Sequence, residues 1–303
     1  MQHLLTITGT TASGKTRLAV ELAYRLGGEV ISADSRQVFR GMDIGTGKDL
    51  QDYHDVHGTD IPYHLIDIRD AGEEYNLYQF LTDFAHAMDD IVSRGRRPLL
   101  CGGTGMYIDA VVRRYSLPDA PIDPEFRQSL ENLSDQQLTE RLAQLIHLHN
   151  HTDTEDRGRL IRALEIAEYR LAHPDSFTQT PEMTHTVVAP LFERSEIIRR
   201  IELRLRQRLQ EGMVEEVRQL LDSGTPVERL LRYGLEYKHL TLYLTGQCSY
   251  DEMFTNLFTD IRRFAKRQMT WLRRMERNGV TIHWIDGTLP FDQQIEQVLQ
   301  LLP

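Results

Sequence analysis

Apolar positions along the chain switch between two periods. Leu4-Leu5-Thr6-Ile7-Thr8 is a short β-rich run, whereas Leu18, Leu22 and Leu26 recur at helical spacing over Arg17 to Leu26. The pattern then repeats: a β-branched run over Glu29 to Ala33, a short strand over His64 to Ile68, and a helical stripe through Leu77, Phe80, Leu81, Phe84, Met88 and Ile91. A strand over Arg97 to Cys101 and a helix over Met106 to Val112 follow. Alternating strands and helices predict an α/β fold with a doubly wound parallel sheet.

Near Tyr115 the character changes. Pro118, Pro121 and Pro124 interrupt the chain, and helical patterns then cover Asp123 to Asn132, Asp135 to His149 and Glu155 to Leu171. We expect an inserted all-helical domain over 115–185, between core parts 1–114 and 186–303. The second core part reads as a return strand over Val187 to Leu191 and a long Arg-rich helix over Ser195 to Leu221, closed by Ser223-Gly224-Thr225-Pro226. Helices over Val227 to Leu244 and Asp251 to Met275 come next, the latter with Ser249 as N-cap, then a strand over Thr281 to Ile285 and a helix over Phe291 to Leu302.

Between the first strand and helix stands Gly9-Thr10-Thr11-Ala12-Ser13-Gly14-Lys15-Thr16. Strand, glycine loop and helix are the setting in which this spacing grips phosphate. Backbone N–H groups close around the oxygens, Lys15 adds a point charge, the Thr16 hydroxyl can hold Mg²⁺, and the helix N-terminus contributes partial positive charge. The loop alone does not distinguish nucleoside triphosphates from prenyl diphosphates.

Residues just past a strand's C-terminal end face the ligand crevice of such a sheet, so Asp34 and Ser35 belong near this loop. Asp34 reads equally as a metal-binding carboxylate or as a general base, with a turn cap as the plainest role. The strongest later strand ends in Gly102-Gly103-Thr104-Gly105, a neutral donor-rich turn rather than an acid, which weakens a motor or switch ATPase reading.

Composition narrows the setting. With 40% apolar residues the chain supports a sizeable core, and no run reaches the length of a membrane span. The start runs directly into a strand without a signal sequence, so a cytoplasmic location is expected. Two cysteines, Cys101 and Cys248, form neither a disulfide framework nor a zinc spacing. His147, His149 and His151 alternate in a segment that reads helical, which argues against metal ligation.

The net charge of −10 is unevenly spread. Asp43 to Asp90 holds twelve acids against Lys48 and Arg69, whereas Arg262 to Arg277 holds seven basic residues against Glu276. Binding follows local fields, so RNA is not excluded. Around Arg194 to Arg208, Glu193, Glu196 and Glu202 provide ordinary helical pairs, while Lys266 to Arg274 lacks such acids. Trp271 there suits either a stacked base or the core.

Together these motifs resemble the tRNA dimethylallyltransferase family, bacterial type. The resemblance rests on the loop Gly9 to Thr16, Ile31-Ser32-Ala33-Asp34-Ser35, Gly41-Met42-Asp43-Ile44-Gly45-Thr46 and His64 to Ile68. It continues through Gly102-Gly103-Thr104, Arg159-Leu160-Ile161-Arg162-Ala163-Leu164-Glu165 and Lys266 to Arg273. Two departures are Gly9-Thr10 in place of Gly-Pro, and Glu236-Tyr237-Lys238 where the family usually has Gly-Tyr-Arg/Lys.

The resemblance implies transfer of a dimethylallyl group from dimethylallyl diphosphate to N6 of adenine 37 in the anticodon loop, with Mg²⁺ as cofactor and a monomeric enzyme. It implies catalytic roles for Asp34, Thr104, Lys15 and Arg204, with Gly9, Thr10, Thr11, Ala12, Ser13, Gly14, Lys15 and Thr16 on the diphosphate. Contacts to tRNA are implied for Asp34, Ser35, Arg36, Gln37, Thr104, Arg127, Gly158, Arg159, Leu160, Ile161 and Arg162. The same holds for Lys266, Arg267, Gln268, Met269, Thr270, Trp271, Leu272 and Arg273. The competing readings are an adenylate prenyltransferase, a small-molecule P-loop kinase and a non-catalytic RNA-binding protein.

Overall fold

The computed structural model describes residues 2–54, 56–146, 156–174, 177–178 and 180–303. Six strands form one sheet: β1 (Gln2–Thr8), β2 (Gly28–Ser32), β3 (Tyr63–His64), β4 (Arg97–Gly102), β5 (Met183–Leu191) and β6 (Ile282–Asp286). Their spatial order is β3-β2-β4-β1-β5-β6, and every neighbouring pair is parallel. Leu4, Thr6 and Ile7 of β1 are fully buried, as expected of a central strand covered on both faces. Because the chain steps from β1 over β4 to β2 and later returns to the other side at β5, the C-terminal ends of β1 and β4 border a crevice.

Helices α1 (Lys15–Leu26), α2 (Leu77–Ser93) and α3 (Gly105–Val112) follow strands of the first half. The chain divides into two compact units, Met1–Arg114 with Pro181–Pro303, and Tyr115–Thr180. The second unit contains α4 (Pro124–Leu130), α5 (Asp135–Leu145) and α6 (Arg157–Ala172), packed around Leu130, Leu138, Leu142, Leu160 and Leu164. His147, His149 and His151 lie outside the described residues.

Three sequence expectations are corrected. The stretch His64 to Ile68 is not a strand beyond His64, because Leu65 and Asp67 take φ of 62° and 56°. Asp67 instead receives the buried Lys48 ammonium on its carboxylate and donates its N–H to the Gln37 carbonyl at 3.1 Å. The long helix expected over Ser195 to Leu221 is two, α7 (Arg194–Gln210) and α8 (Met213–Asp222), separated at Gly212 with φ of 104°. Val227 to Leu244 is likewise split into α9 (Val227–Leu230) and α10 (Leu235–Leu244) by Gly234 at φ 143°. In both places a glycine in a backbone conformation that an L side chain resists stands as N-cap of the following helix, so the helical run is broken before it.

The longest helix, α11 (Tyr250–Arg277), begins as its sequence suggests. Ser249 Oγ accepts the Glu252 N–H at 3.3 Å and Glu252 returns a carboxylate oxygen to the Ser249 N–H at 2.8 Å. Met253, Leu257, Ile261, Ala265, Gln268, Leu272 and Met275 form its buried stripe, and the arginines face outward. Helix α12 (Phe291–Gln300) closes the chain.

At the crevice, β2 and β4 approach closely. The Ala33 N–H donates to the Cys101 carbonyl at 2.7 Å and the Thr104 N–H to the Ala33 carbonyl at 3.1 Å. A Cβ on Gly102 would lie 2.1 Å from the Ala33 oxygen. Gly102→Ala is therefore expected to cost about 3 kcal/mol of stability, read as a lower urea midpoint. An unchanged midpoint would mean that the two strand ends part freely.

In the helical unit the organising group is the buried Glu165 carboxylate. It receives Arg127 through Nε at 2.7 Å and Nη2 at 2.8 Å, Arg162 at 3.0 Å and the Asp123 N–H at 3.1 Å. Burial alone would raise its pKa; the two guanidinia and the backbone donor outweigh this and hold it below the ordinary carboxylate range. Its contribution is thus complete above the unfolded pKa of about 4.3 and is lost as pH falls towards the lower folded value. Glu165→Gln should remove part of the acid sensitivity of residues 115–180, measured by limited proteolysis across pH, and cost about 3 kcal/mol.

Candidate active site

The loop between β1 and α1 is shaped by two glycines. Gly9 has φ of 155° and Gly14, at the N-terminus of α1, has φ of 80°. A Cβ on Gly9 would stand 2.8 Å from Ser13 Oγ. The loop closes through the Ser13 N–H on the Thr10 carbonyl at 3.3 Å, and Lys15 Nζ reaches the same carbonyl at 3.4 Å. Desolvation pulls the Lys15 ammonium below its ordinary pKa, with Arg204 acting in the same direction against the opposing pull of Asp34 and Asp49. Burial pushes the Cys101 thiol, behind the loop, up to about 12.

Gln268 was expected to touch RNA, but it is 8% exposed and both ends of its amide are engaged. Its oxygen accepts the Thr11 N–H at 2.7 Å and its nitrogen donates to the Gly103 carbonyl at 3.0 Å. Helix α11 thereby ties the glycine loop to the turn after β4. The polar residue in an otherwise apolar stripe is the sequence signal for this role.

At the end of β2, one Asp34 oxygen accepts the Arg36 N–H at 2.9 Å. Among the described residues its other oxygen accepts no hydrogen bond. Thr104 Oγ1 accepts the Ser35 N–H at 3.0 Å and lies 3.4 Å from Ser35 Oγ, so the ends of β2 and β4 are cross-linked beside Asp34. Gln37 is occupied internally, accepting from Ser32 Oγ at 2.9 Å and donating to the Gly47 carbonyl at 3.0 Å. Arg36 lines the pocket.

A second wall comes from α7 and the loop 41–49. Arg204 and Arg208 both bind Asp49, Arg208 at 3.0 Å. The loop is held from outside by Glu216 of α8, which accepts the N–H groups of Asp43, Ile44 and Gly45 at 2.8, 2.7 and 3.0 Å and the Tyr237 hydroxyl at 2.7 Å. Buried Lys48 anchors it from inside, donating to the Phe39 carbonyl at 2.7 Å and to Asp43 at 2.5 Å. Burial would raise Asp49, but Arg204 and Arg208 bring it below the usual range. Burial lowers Arg204 and raises Glu236, which faces the same space.

Lys15, Asp34, Thr104, Asp49, Arg204, Arg208, Glu236 and Gln268 line one cavity of about 840 Å³. Cations gather around the glycine loop, Asp34 offers an acceptor, and Met106, Leu203 and Phe264 leave apolar side chains exposed along the lining. This suits an anionic group joined to an apolar one. No cluster of three metal-ligating side chains occurs among the described residues. The Thr16 hydroxyl and the Asp34 and Asp52 carboxylates of this lining are oxygen donors of the kind that could hold a cation such as Mg²⁺. Asp49, Arg208 and Glu236 were missed in the sequence. Arg208 reads there as one more solvated helix residue, and only folding pairs it with Asp49.

The other expected contacts divide. Leu160 and Leu272, expected at the RNA, are 0% and 2% exposed and belong to the core, so their side chains have no surface to offer it. Ile161 packs against the core of the helical unit. Arg127 and Arg162 are bound to Glu165. Arg159, Lys266 and Arg267 are exposed, and Arg273 pairs with Glu276 at 2.9 Å. Trp271 lines the cavity and packs over Gly105, where a Cβ would meet its ring at 2.4 Å. Gly158 and Thr270 are exposed, and Met269 is half-buried.

Comparison with known proteins follows the same outline. The IPP transferase family model matches residues 37–275, and that of isopentenyl transferases matches residues 2–64. A tRNA dimethylallyltransferase of Porphyromonas gingivalis is 56% identical over 298 residues, 98% of each chain. One from Pelobacter propionicus is 55% identical, covering 94% of this chain and 90% of its own. The crystal structure of the full-length tRNA isopentenylpyrophosphate transferase of Bacillus halodurans superposes with a TM-score of 0.70 at 32% identity, over 99% of this chain and 95% of that one. A eukaryotic dimethylallyltransferase acting on tRNA shares the fold, with a TM-score of 0.74 at 21% identity over 99% and 78%. Matched by relatives more than half identical over nearly its whole length, the chain belongs to the tRNA dimethylallyltransferase family.

Proposed function

We propose that the protein transfers a dimethylallyl group from dimethylallyl diphosphate to N6 of adenine 37 in the tRNA anticodon loop and releases diphosphate. The observation that carries this reading is the pairing, in one cavity, of Asp34, one of whose carboxylate oxygens accepts no hydrogen bond among the described residues, with a phosphate loop flanked by the cations Lys15, Arg204 and Arg208. The N6 lone pair attacks the allylic carbon as its C–O bond to diphosphate breaks, and the N6 proton passes to Asp34. An exocyclic adenine amine is a poor nucleophile, so a positioned base contributes about 10²–10⁴ in rate.

Charge builds on the leaving diphosphate. Lys15, Arg204 and the amides of residues 9–16 are placed to absorb it. Thr16 would hold Mg²⁺, which when bound supplies further positive charge to the diphosphate. Thr104 keeps the Asp34-Ser35 segment aligned through its bond to the Ser35 N–H. The base leaves an already single-stranded loop at low cost. Ser35, Arg36, Arg159, Lys266, Arg267 and Arg273 then serve as RNA contacts, with the remaining exposed positions of 158–162 and 266–273. We further propose a monomeric, cytoplasmic enzyme; no helix among the described residues is long and apolar enough to cross a membrane.

Asp34→Ala should lower the single-turnover rate by about 10²–10⁴ while changing diphosphate affinity little. An equal collapse of diphosphate binding would assign Asp34 to the metal instead. Substrate choice is tested by supplying dimethylallyl diphosphate and Mg²⁺ with unmodified tRNA, or with AMP or ATP, and weighing the digested nucleosides. Prenylated adenosine is expected from tRNA alone. Product from the free nucleotides would indicate an adenylate prenyltransferase, and phosphate transfer from ATP a kinase.

A further inference from the structure

The basic residues of α7 fall into two sets. Arg199 and Arg200 pair with Glu196, and Arg206 with Glu202, each within one helical turn. Arg204 and Arg208 instead reach across 155 and 159 residues to a single carboxylate, one guanidinium to each oxygen of Asp49. That carboxylate caps nothing. Asp49 stands at the N-terminus of the 3-10 turn Leu50–Tyr53 without a side-chain capping bond, in a left-handed conformation of φ 48°.

The segment that carries it is anchored on two sides. Glu216 takes three consecutive N–H groups of the loop and Lys48 pins it from within. Arg208 reaches Asp49 across Gly47, where a Cβ would lie 2.1 Å from its Nη2. The loop thus delivers one negative charge to the two guanidinia beside the phosphate-gripping loop.

We propose that Asp49 is an internal counter-ion of the diphosphate site. It holds Arg204 and Arg208 in gripping position, yields them when a diphosphate enters, and reclaims them as diphosphate leaves. This rests on the reading of the cavity as a diphosphate holder. Side-chain exposures of 37% for Asp49 and 30% for Arg204 leave that pair open to exchange from solvent, whereas Arg208, at 10%, approaches the same carboxylate from the buried side. A pair that keeps contact with solvent is weakly held, whereas diphosphate brings several charges and more acceptor oxygens. Exchange therefore favours the ligand, and the arginines arrive already ordered. Competition from a tethered carboxylate also weakens the grip on the product.

The test measures inorganic diphosphate binding by calorimetry, with and without Mg²⁺, in the wild type, Asp49→Asn and Lys15→Ala. Asp49→Asn should bind diphosphate about tenfold more tightly in both conditions. Diphosphate should become a correspondingly stronger product inhibitor, and turnover should show a burst followed by slow release. Asp49→Glu should restore wild-type inhibition. Unchanged or weaker binding in Asp49→Asn with a wild-type melting temperature overturns the proposal, as does weakening confined to Mg²⁺, which would make Asp49 a metal ligand. Asp49→Ser gives the same readout should Asp49→Asn fold poorly. If Lys15→Ala leaves diphosphate affinity intact, the diphosphate reading itself fails, independently of Asp49.

Discussion

The close approach of two parallel strand ends governs the site. Where β2 and β4 finish, the absence of a side chain on Gly102 lets the Ala33 carbonyl come within reach of the Thr104 N–H. That contact sets Asp34 and Thr104 side by side and aims both into the crevice that the β1 loop also enters. Any added atom at Gly102 would separate the acceptor from the phosphate loop. In a transfer that needs base and leaving group on the same reacting pair, such a misplacement is costly.

Helix α11 joins the site to the outer surface through its two faces. Its inner side carries Gln268, which fastens the glycine loop to the β4 turn, and Trp271, which covers Gly105. Its outer face carries Lys266 and Arg267 into solvent. One helix can therefore position the phosphate loop with one face and present positive charge with the other. The acidic total of the chain does not oppose this, because local fields decide association.

The cavity is electrically balanced by its own chain. Lys15, Arg204 and Arg208 would repel one another in an empty, partly dehydrated pocket, and Asp49 sits between two of them. Glu216 and Lys48, neither of which lines that cavity, keep the Asp49 loop in place. Ligand binding and loop anchoring are thereby assigned to different residues of neighbouring elements.

The sequence by itself determined the order of strands and helices, the phosphate loop and the acid at the end of β2. Each depends on local spacing, and a run such as Gly9 to Thr16 has one sensible backbone. It also disclosed the Ser249 cap, since both partners of that box lie within four residues. It overran the helices at Gly212 and Gly234, because a helical stripe continues through a glycine whose φ only the packed chain selects. Asp49 with Arg204 and Arg208, Glu216 under the loop and Gln268 across two turns were decided by tertiary structure alone. Their partners lie from roughly 155 to more than 250 residues apart, where no periodicity connects an acid to the arginine it will meet. The sequence specifies the groups that can do chemistry; folding decides which of them face one another.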